Sequence, residues 1–304
     1  MTPQPDTHPS FDRSVLPDAV ARLSASVVGL ALRRGSASGV LWSPGVVVTA
    51  ASAVWRARQI HVVGAAGEPV LGTLRGVDAS TDLAAISFDA AAGGGEPAAR
   101  AADAAPRVGD FVMAVGREDS GRVQASFGHV GAAGGEWRTW RGGRVERLIR
   151  LDGGLYPGLA GAPVADADGR VIGVASPMLS RHHGVVLPVA TIDRVLPALL
   201  AHGQVPQGYA GIAAQPVRAT LDGVAVQGLL VSSVAGGGPA ALCGALVGDV
   251  IVSAGGQPVD SIEALRAQLG QAAIGSLLAL QVVRGGQRVT LDLPVAQRPE
   301  RRGC

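Results

Sequence analysis

Residues 35–41 read Gly-Ser-Ala-Ser-Gly-Val-Leu, and residues 46–51 read Val-Val-Val-Thr-Ala-Ala. The two runs are separated by Trp42-Ser43-Pro44-Gly45, and the Ser-Pro-Gly in this segment favours two strands joined by a tight turn. Comparable short runs of apolar and β-branched residues occur at residues 27–30, 60–63, 83–86, 111–115, 171–175 and 184–188. Strands recurring at intervals of about 10 to 20 residues are typical of an antiparallel barrel or sandwich. The Ala- and Gly-rich segment 90–105 lacks large side chains, so we interpret it as the connection between two β units.

The composition indicates a folded protein of two domains and argues against a nucleic-acid partner. The chain has 304 residues, of which 47% are hydrophobic and 16% charged, so it can bury a core and is not a disordered protein. All 26 basic residues are Arg, spread along the chain with a net charge of only +2, so we expect no nucleic-acid partner. Two cysteines, Cys243 and Cys304, provide no disulfide framework.

Neither a cofactor nor a membrane is indicated by the residue pattern. No uninterrupted apolar stretch reaches the ~18 residues of a membrane span. The first residues show no cationic and apolar export signal, so the sequence predicts a cytoplasmic location. His182 and His183 are adjacent in a turn without nearby Cys or carboxylate partners, so we interpret them as a solvated loop and expect no metal site. No cofactor is expected.

A helix separates the two domains. Ile192, Val195, Leu196, Leu199 and Leu200 follow the spacing of one helix face, with Thr191 as the expected N-cap and Gly203 as the expected C-terminal cap. The sequence therefore predicts an N-terminal arm at 1–23, a first domain at 24–203, a second domain at 206–296 and a tail at 297–304.

The second domain carries three motifs in a fixed order. These are Gly238-Pro239-Ala240-Ala241, Gly248-Asp249-Val250-Ile251 and Gly256-Gln257-Pro258-Val259. Together they resemble the PDZ domain attached to bacterial HtrA/Deg proteases. In such a domain, successive backbone N–H groups at a glycine turn hold the C-terminal carboxylate of a peptide, and a strand edge accepts the peptide as an added strand.

The resemblance implies peptide-binding residues in two segments. Tyr209, Ala210, Gly211 and Ile212 match the carboxylate-binding turn, and Ile262, Leu265 and Leu269 would form the apolar wall for the last side chain of the peptide. The alternative for these three helix residues is packing in the domain core. Ala210 is smaller than the residue usual at its position. Peptides or protein C-termini are thus the expected partners.

The first domain resembles the trypsin-like protease domain of the HtrA/Deg family. The matching segments are residues 35–41 with 48–51, Thr81-Asp82-Leu83-Ala84, and Tyr156 to Pro163 with the strand that follows. The implied fold is mainly β, a trypsin-like double six-stranded β-barrel followed by a PDZ domain. The first of these segments precedes the position of the catalytic His, the second holds the acidic residue and the third is the nucleophile loop.

Two of the three catalytic positions carry other residues. A trypsin-like enzyme needs a Ser nucleophile, a His that takes its proton and an Asp that orients the His. This chain has Ser52 at the His position and Ala160 at the Ser position, and retains only Asp82. No other histidine falls on a matching motif position. Asp82 has an alternative structural role, in which it binds Ser52 or backbone N–H groups.

The oxyanion loop also departs from the family pattern. Gly158, Leu159 and Ala160 occupy the positions whose backbone N–H groups would bind an oxyanion. Leu159 and Ala162 replace smaller or polar residues of the family loop, and Ala162 resists the positive φ that glycine permits. The sequence does not establish whether this nest of N–H groups forms.

Three functional hypotheses follow. The first is a catalytically inactive HtrA/Deg-like homologue that binds polypeptide C-termini through its PDZ domain, in a regulatory or scaffolding role. The second is an active serine endopeptidase of the HtrA/Deg type in protein quality control, with a different nucleophile such as Ser176 or Ser36. The third is a subunit of a homotrimer or of an assembly with an active homologue, with Phe11 as the apolar residue of the arm.

Overall fold

The computed structural model describes residues 15–33, 35–57, 59–93, 95–101, 105–180, 182–206, 208–221 and 224–297. The chain divides into two compact units, residues 1–139 with 143–204 and residues 140–142 with 205–304. Both units consist mainly of β-strands, as predicted.

The first unit contains two closed six-stranded barrels. The first barrel is built from β1 (Val27–Leu32), β2 (Ser36–Ser43), β3 (Val46–Ala50), β4 (Ile60–Val63), β5 (Pro69–Asp78) and β6 (Leu83–Phe88), in the order β1-β2-β3-β6-β5-β4. Its interior is filled by aliphatic side chains, among them Leu30, Val47 and Ile86. The short helix α2 (Ala51–Val54) follows β3 directly and carries Ser52.

The second barrel has its own core, to which Val112, Ile149 and Val164 contribute. Its strands are β7 (Phe111–Arg117), β8 (Val123–Gly134), β11 (Leu148–Leu151), β12 (Pro163–Ala165), β13 (Val171–Ser176) and β14 (Val185–Pro188), in the order β11-β14-β13-β12-β7-β8. A separate two-stranded ribbon joins β9 (Trp137–Arg138) and β10 (Arg144–Val145), and a 3₁₀ turn covers Pro177–Leu179. The predicted double six-stranded barrel is confirmed.

Two helices differ from the sequence prediction. Helix α3 (Val189–His202) begins before Thr191, so Thr191 is not its N-cap; its hydroxyl instead donates to Glu146. Gly203 does end this helix in the left-handed conformation, with φ 74°. Helix α1 (Val15–Ser24) occupies residues 15–23 of the segment predicted as an arm, and its buried face is formed by Ala19 and Leu23, one turn apart.

The second unit is a sheet with helices. It contains β15 (Gly208–Tyr209), β16 (Ile212–Leu221), β17 (Val224–Val234), α4 (Pro239–Leu242), β18 (Val250–Ala254), β19 (Gln257–Pro258), α5 (Ile262–Gln271), β20 (Leu277–Arg284), β21 (Gln287–Pro294) and β22 (Ala296–Gln297). The main sheet has the order β16-β17-β18-β20-β21, so β16 is an edge strand. Gly285 and Gly286 both have positive φ, which closes the β20–β21 hairpin by a two-residue turn.

Candidate functional site

Asp82 lies at the centre of a buried polar cluster in the first unit. It follows β5, is 3% exposed and has a φ of 62°, a left-handed conformation that Asp adopts more readily than most residues. Its Oδ1 accepts the backbone N–H of Ser52 at 2.7 Å, and its Oδ2 accepts the Ser52 hydroxyl at 3.1 Å. The hydroxyl of Ser176, on β13, donates to the same Oδ2 at 2.5 Å. The structure thus brings Ser52 and Asp82 together, as the motif positions predict.

A second carboxylate holds the turn that carries Asp82. Asp78, at the end of β5, is 4% exposed. It accepts the hydroxyls of Ser80 and Thr81 at 2.6 Å each and the backbone N–H of Ser80 at 2.9 Å. Because these bonds close the turn on itself, the carboxylate of Asp82 is held in a fixed position. Asp78 was not predicted from the sequence, although an Asp whose side chain binds a backbone N–H two residues later is a known turn signal.

The nucleophile loop packs closely against β3. The N–H of Gly161 donates to Ala175 at 2.9 Å, and the carbonyl of Ala160 accepts the N–H of Ser38 at 3.1 Å. A methyl group added to Gly161 would lie 2.0 Å from Thr49 Oγ1, so only glycine permits this approach. Gly161 also has a φ of 79°. Ala160 is therefore held beside the strand end that leads into Ser52.

The backbone groups of the oxyanion loop differ in their hydrogen bonds. Gly158 is in the left-handed region with φ 89°, and its carbonyl accepts the hydroxyl of Ser38 at 2.8 Å. The N–H of Leu159 donates to Tyr156 at 3.2 Å and its side chain is 1% exposed in the barrel core. Among the described residues, the N–H groups of Gly158 and Ala160 donate to no acceptor. Ala162 is buried without positive φ, so the strain expected for it does not arise.

A buried arginine supports the strand next to this loop. Arg117, the last residue of β7, is 5% exposed and donates to the carbonyls of Val27, Gly121 and Ser24 at 2.7 to 2.8 Å. Burial lowers the pKa of its guanidinium from the usual value. The N–H of Arg117 donates at 3.1 Å to the same Ser38 hydroxyl that holds Gly158. The Ser38 hydroxyl thereby connects the loop to the C-terminal end of β7.

The histidines that the structure describes lie on elements other than those that carry Ser52, Asp82 and Ala160. His61 is on β4, His129 on β8, His202 at the end of α3, and His182 and His183 in an exposed turn before β14; His8 and Phe11 are outside the described residues. Within the described residues, no three His, Cys, Asp or Glu side chains are grouped so that they could hold a metal ion. None of the described helices is long and apolar enough to cross a membrane.

In the second unit, the segment 209–212 forms a turn whose carbonyls accept hydrogen bonds from the loop after β17 and from helix α4. The carbonyl of Ala210 accepts the N–H of Ala240 at 2.8 Å, and that of Gly211 accepts the N–H of Ala235 at 2.8 Å. Gly211 has a φ of 75°, which turns the chain into β16. No acceptor in the described chain binds the N–H groups of Ala210 and Gly211.

The helix residues predicted to wall the peptide site have different environments. Leu265 and Leu269, on α5, are 5% and 7% exposed and belong to the core of the unit. Ile262, at the start of α5, is half-buried at the margin of that core. Ala210 is buried in the same core, and Tyr209 pairs with Ala296 in a two-stranded ribbon.

An ion pair between a buried carboxylate and a partly exposed arginine fixes the turn that precedes β18. Arg284 donates to both carboxylate oxygens of Asp249 at 2.7 and 2.8 Å, and the Asp249 side chain is 1% exposed. Burial opposes ionisation of Asp249, but the Arg284 hydrogen bonds and the N–H of Leu246 outweigh it and lower the pKa of the carboxyl group.

Comparison with known proteins assigns both units. A trypsin-like peptidase domain model matches residues 37–174, and a PDZ domain model matches residues 208–295. The chain is 30% identical over 282 residues to a probable periplasmic serine endoprotease DegP-like of Chlamydia pneumoniae, a match covering 88% of this chain and 56% of that protein. The chain therefore spans about half the length of the curated relatives it matches.

Two solved structures have the same architecture. The serine endoprotease from Yersinia pestis is 25% identical with a TM-score of 0.75, covering 93% of this chain and 98% of that one. The HtrA-type protease AlgW with tripeptide is 27% identical with a TM-score of 0.71, covering 95% and 99%.

The comparisons also test the predicted location and the predicted order of the domains. The predicted cytoplasmic location is wrong, because the relatives are named periplasmic endoproteases and the first residues alone were a poor guide. The predicted order of domains is confirmed by the two family models. The chain is an HtrA/DegP-like protein, with a trypsin-like peptidase domain followed by a PDZ domain.

Proposed function

We propose that this chain is a catalytically inactive HtrA/Deg-like serine protease homologue that binds polypeptide C-termini through its PDZ domain, in a regulatory or scaffolding role. The observation that carries the proposal is the residue at the nucleophile position. The side chain of Ala160 is a methyl group, which has no atom that can attack a peptide carbonyl.

The absence of a base at the second position supports the same proposal. Ser52 donates its hydroxyl proton to Asp82, and a hydroxyl accepts a proton far less readily than the imidazole that a trypsin-like mechanism uses. In a comparable protease, loss of the Ser or of the His alone lowers turnover by about 10⁶. Both groups are replaced here.

The peptide-binding half of the proposal rests on the turn at 209–212. Successive N–H groups that have no partner within the protein can converge on an anion such as a carboxylate. The edge position of β16 leaves room for an added strand beside this turn. A solved relative, AlgW, carries a tripeptide according to its description. We further propose that this chain acts in the periplasm, where its relatives are named.

A paired assay tests whether the chain cuts. Purified protein is incubated with an unfolded protein substrate, beside an S52H/A160S variant as the matched control with both groups restored. We expect no cleavage by the natural chain above the blank. Cleavage that is time-dependent and proportional to the natural chain would contradict the inactive reading.

A peptide screen tests the binding half. Immobilised peptides with free C-termini are probed with the full chain, and the same peptides with amidated C-termini are the control. We expect a preference for apolar last residues, with affinities on the order of micromolar because the contact area is small. Equal binding of the amidated peptides would contradict carboxylate recognition.

A second candidate function is favoured by the relatives' names. Because they are called serine endoproteases, an active endopeptidase in protein quality control is the alternative. It requires another nucleophile, and Ser176 is the one placed beside Asp82. Ser176 is 0% exposed, so a substrate carbonyl cannot reach its hydroxyl in this conformation. Any residual activity that disappears in S176A or S36A, but not in S87A, would support this alternative.

A further inference from the structure

We propose that Pro216 ends the peptide-binding edge of the PDZ domain, so that only about the last four residues of a bound C-terminus are held by backbone hydrogen bonds. This inference deepens the proposed function and rests on it, because it concerns the length of chain that the same site recognises.

The edge begins at Ile212, whose backbone groups face away from the sheet. Ile212 pairs with Val234 on β17, and Ala235 donates to the carbonyl of Gly211 at 2.8 Å. Opposite pairs in an antiparallel ladder alternate between pairs that exchange hydrogen bonds and pairs that do not. Gly211 and Ala235 form a bonded pair, so the next pair, Ile212 and Val234, exchanges no hydrogen bonds. The N–H and C=O of Ile212 are therefore directed to the open side of β16.

The direction of the next groups follows from β17. The N–H of Val231 donates to Asp249 at 2.8 Å, and its carbonyl accepts the N–H of Gly248 at 3.0 Å. Val231 thus points both groups toward the β18 side, away from β16. Its partner Ala214 belongs to the same kind of non-bonded pair, so the backbone groups of Ala214 also face the open side.

Pro216 comes two residues later on the same side. The register of β16 with β17 shifts only between Ala213 and Ala214, so the alternation continues unchanged from Ala214 to Pro216. Position 216 therefore faces the open side, where Pro has a ring in place of the N–H group. The residue is exposed, as expected for a proline confined to an edge strand.

The consequence for a bound peptide follows from strand direction. A peptide whose carboxylate lies at the 209–212 turn runs toward that turn, whereas β16 runs away from it, so the pairing is antiparallel. The last residue of the peptide lies beside Ile212, and the third-last residue of the peptide lies beside Ala214. Its fifth-last residue meets Pro216, which offers no N–H donor and places the ring carbons where the added strand would approach.

A length series on the full chain tests this inference. The best decapeptide from the C-terminal screen is shortened from its N-terminus to eight, six, four and two residues, and each affinity is measured by titration. For the natural chain we expect the affinity to fall between four and two residues and to stay within about twofold from four to ten. In P216A, lengthening from four to six residues should increase affinity by about two- to tenfold, the value of one hydrogen bond.

The matched control is P258A, which changes an exposed proline of β19 away from this edge. Thermal unfolding of each variant checks that the fold is kept. A steady rise in affinity from four to ten residues in the natural chain, with no effect of P216A, would overturn the role of Pro216 but leave peptide binding intact. If no peptide of any length binds, the proposed function and this inference both fail.

Discussion

At the scale of single residues, Asp82 shows how a catalytic position can persist as a structural one. Its carboxylate accepts Ser52 and Ser176, so its hydrogen-bonding capacity is used within the fold rather than to orient an imidazole. A buried carboxylate without donors would cost several kcal/mol, on the order that applies to unpaired buried charges. The two serines supply these donors.

The first prediction concerns restoration of the two missing groups. In S52H/A160S the carboxylate of Asp82 already lies next to position 52, and the N–H groups of Gly158 and Ala160 donate to no acceptor among the described residues, so we expect them to bind an oxyanion. We therefore expect covalent labelling by a fluorophosphonate probe at position 160, measured by gel fluorescence.

The single variants are its controls. S52H and A160S each lack one of the two groups, so we expect turnover about 10⁶ below a complete triad and no labelling on the same time scale. Labelling of A160S as fast as that of the double variant would show that the chain supplies a base other than a residue at position 52.

The sequence predicts part of this cluster and not the rest. Ser52, Asp82 and Ala160 were identified because each lies in a local motif. The bond from Ser176 to Asp82 joins residues 94 positions apart, and it forms because β13 of the second barrel lies beside the β5–β6 turn of the first. Ser176 therefore appeared as a candidate nucleophile rather than as a partner of Asp82.

At the scale of elements, the nucleophile loop depends on one glycine. Gly161 has a φ of 79°, and an added methyl group would meet Thr49 Oγ1 at 2.0 Å and the Ser38 carbonyl at 2.5 Å. We expect G161A to lower the free energy of unfolding by about 2 kcal/mol or more, from backbone strain and overpacking. Urea denaturation measures this change.

The control is G153A, in a loop where a methyl group would meet nothing within 4 Å. It should leave the free energy of unfolding nearly unchanged. Equal stability of G161A and G153A would mean that the loop does not pack against β3 as described.

The Asp249–Arg284 pair should make the stability of the PDZ domain depend on pH. Because the folded-state pKa of Asp249 is lowered, its contribution is complete above the ordinary carboxyl pKa of about 3.9 and is lost as the pH falls through the lower folded-state value. We expect D249N to lower the free energy of unfolding of the domain strongly at pH 7. The difference in this free energy between D249N and the natural chain should shrink below about pH 4.

The matched control is D260N, which changes an exposed aspartate of the same domain. The free energy of unfolding of D260N should stay close to that of the natural chain. A destabilisation by D249N that is constant from pH 7 to pH 2 would contradict the role of ionisation in this pair.

Element boundaries show where sequence patterns were insufficient. The strands and the β20–β21 hairpin follow directly from apolar runs and from Gly285-Gly286. Helix α1 was missed because the Pro-rich residues before it suggested an arm, whereas its packing depends on only Ala19 and Leu23. The open side of β16 could not be predicted, since it depends on register with β17 and not on composition.

At the scale of the whole molecule, the family resemblance suggests that the chain forms oligomers. A homotrimer, or an assembly with an active homologue, is the third hypothesis from the sequence and stays a prediction. Sedimentation of the full chain, alone and mixed with an active homologue, measures this. A monomer in both experiments would contradict the expectation.

The central claim is that the cleft forms no covalent bond with a substrate-like electrophile, because position 160 has no nucleophilic atom. Its most direct test is the intact mass of the full chain after prolonged incubation with a fluorophosphonate, with an active HtrA-type protease treated in parallel. We predict an unchanged mass for this chain and one adduct per active site for the protease. A stoichiometric adduct on any serine of this chain, with loss of proteolysis, would contradict the account.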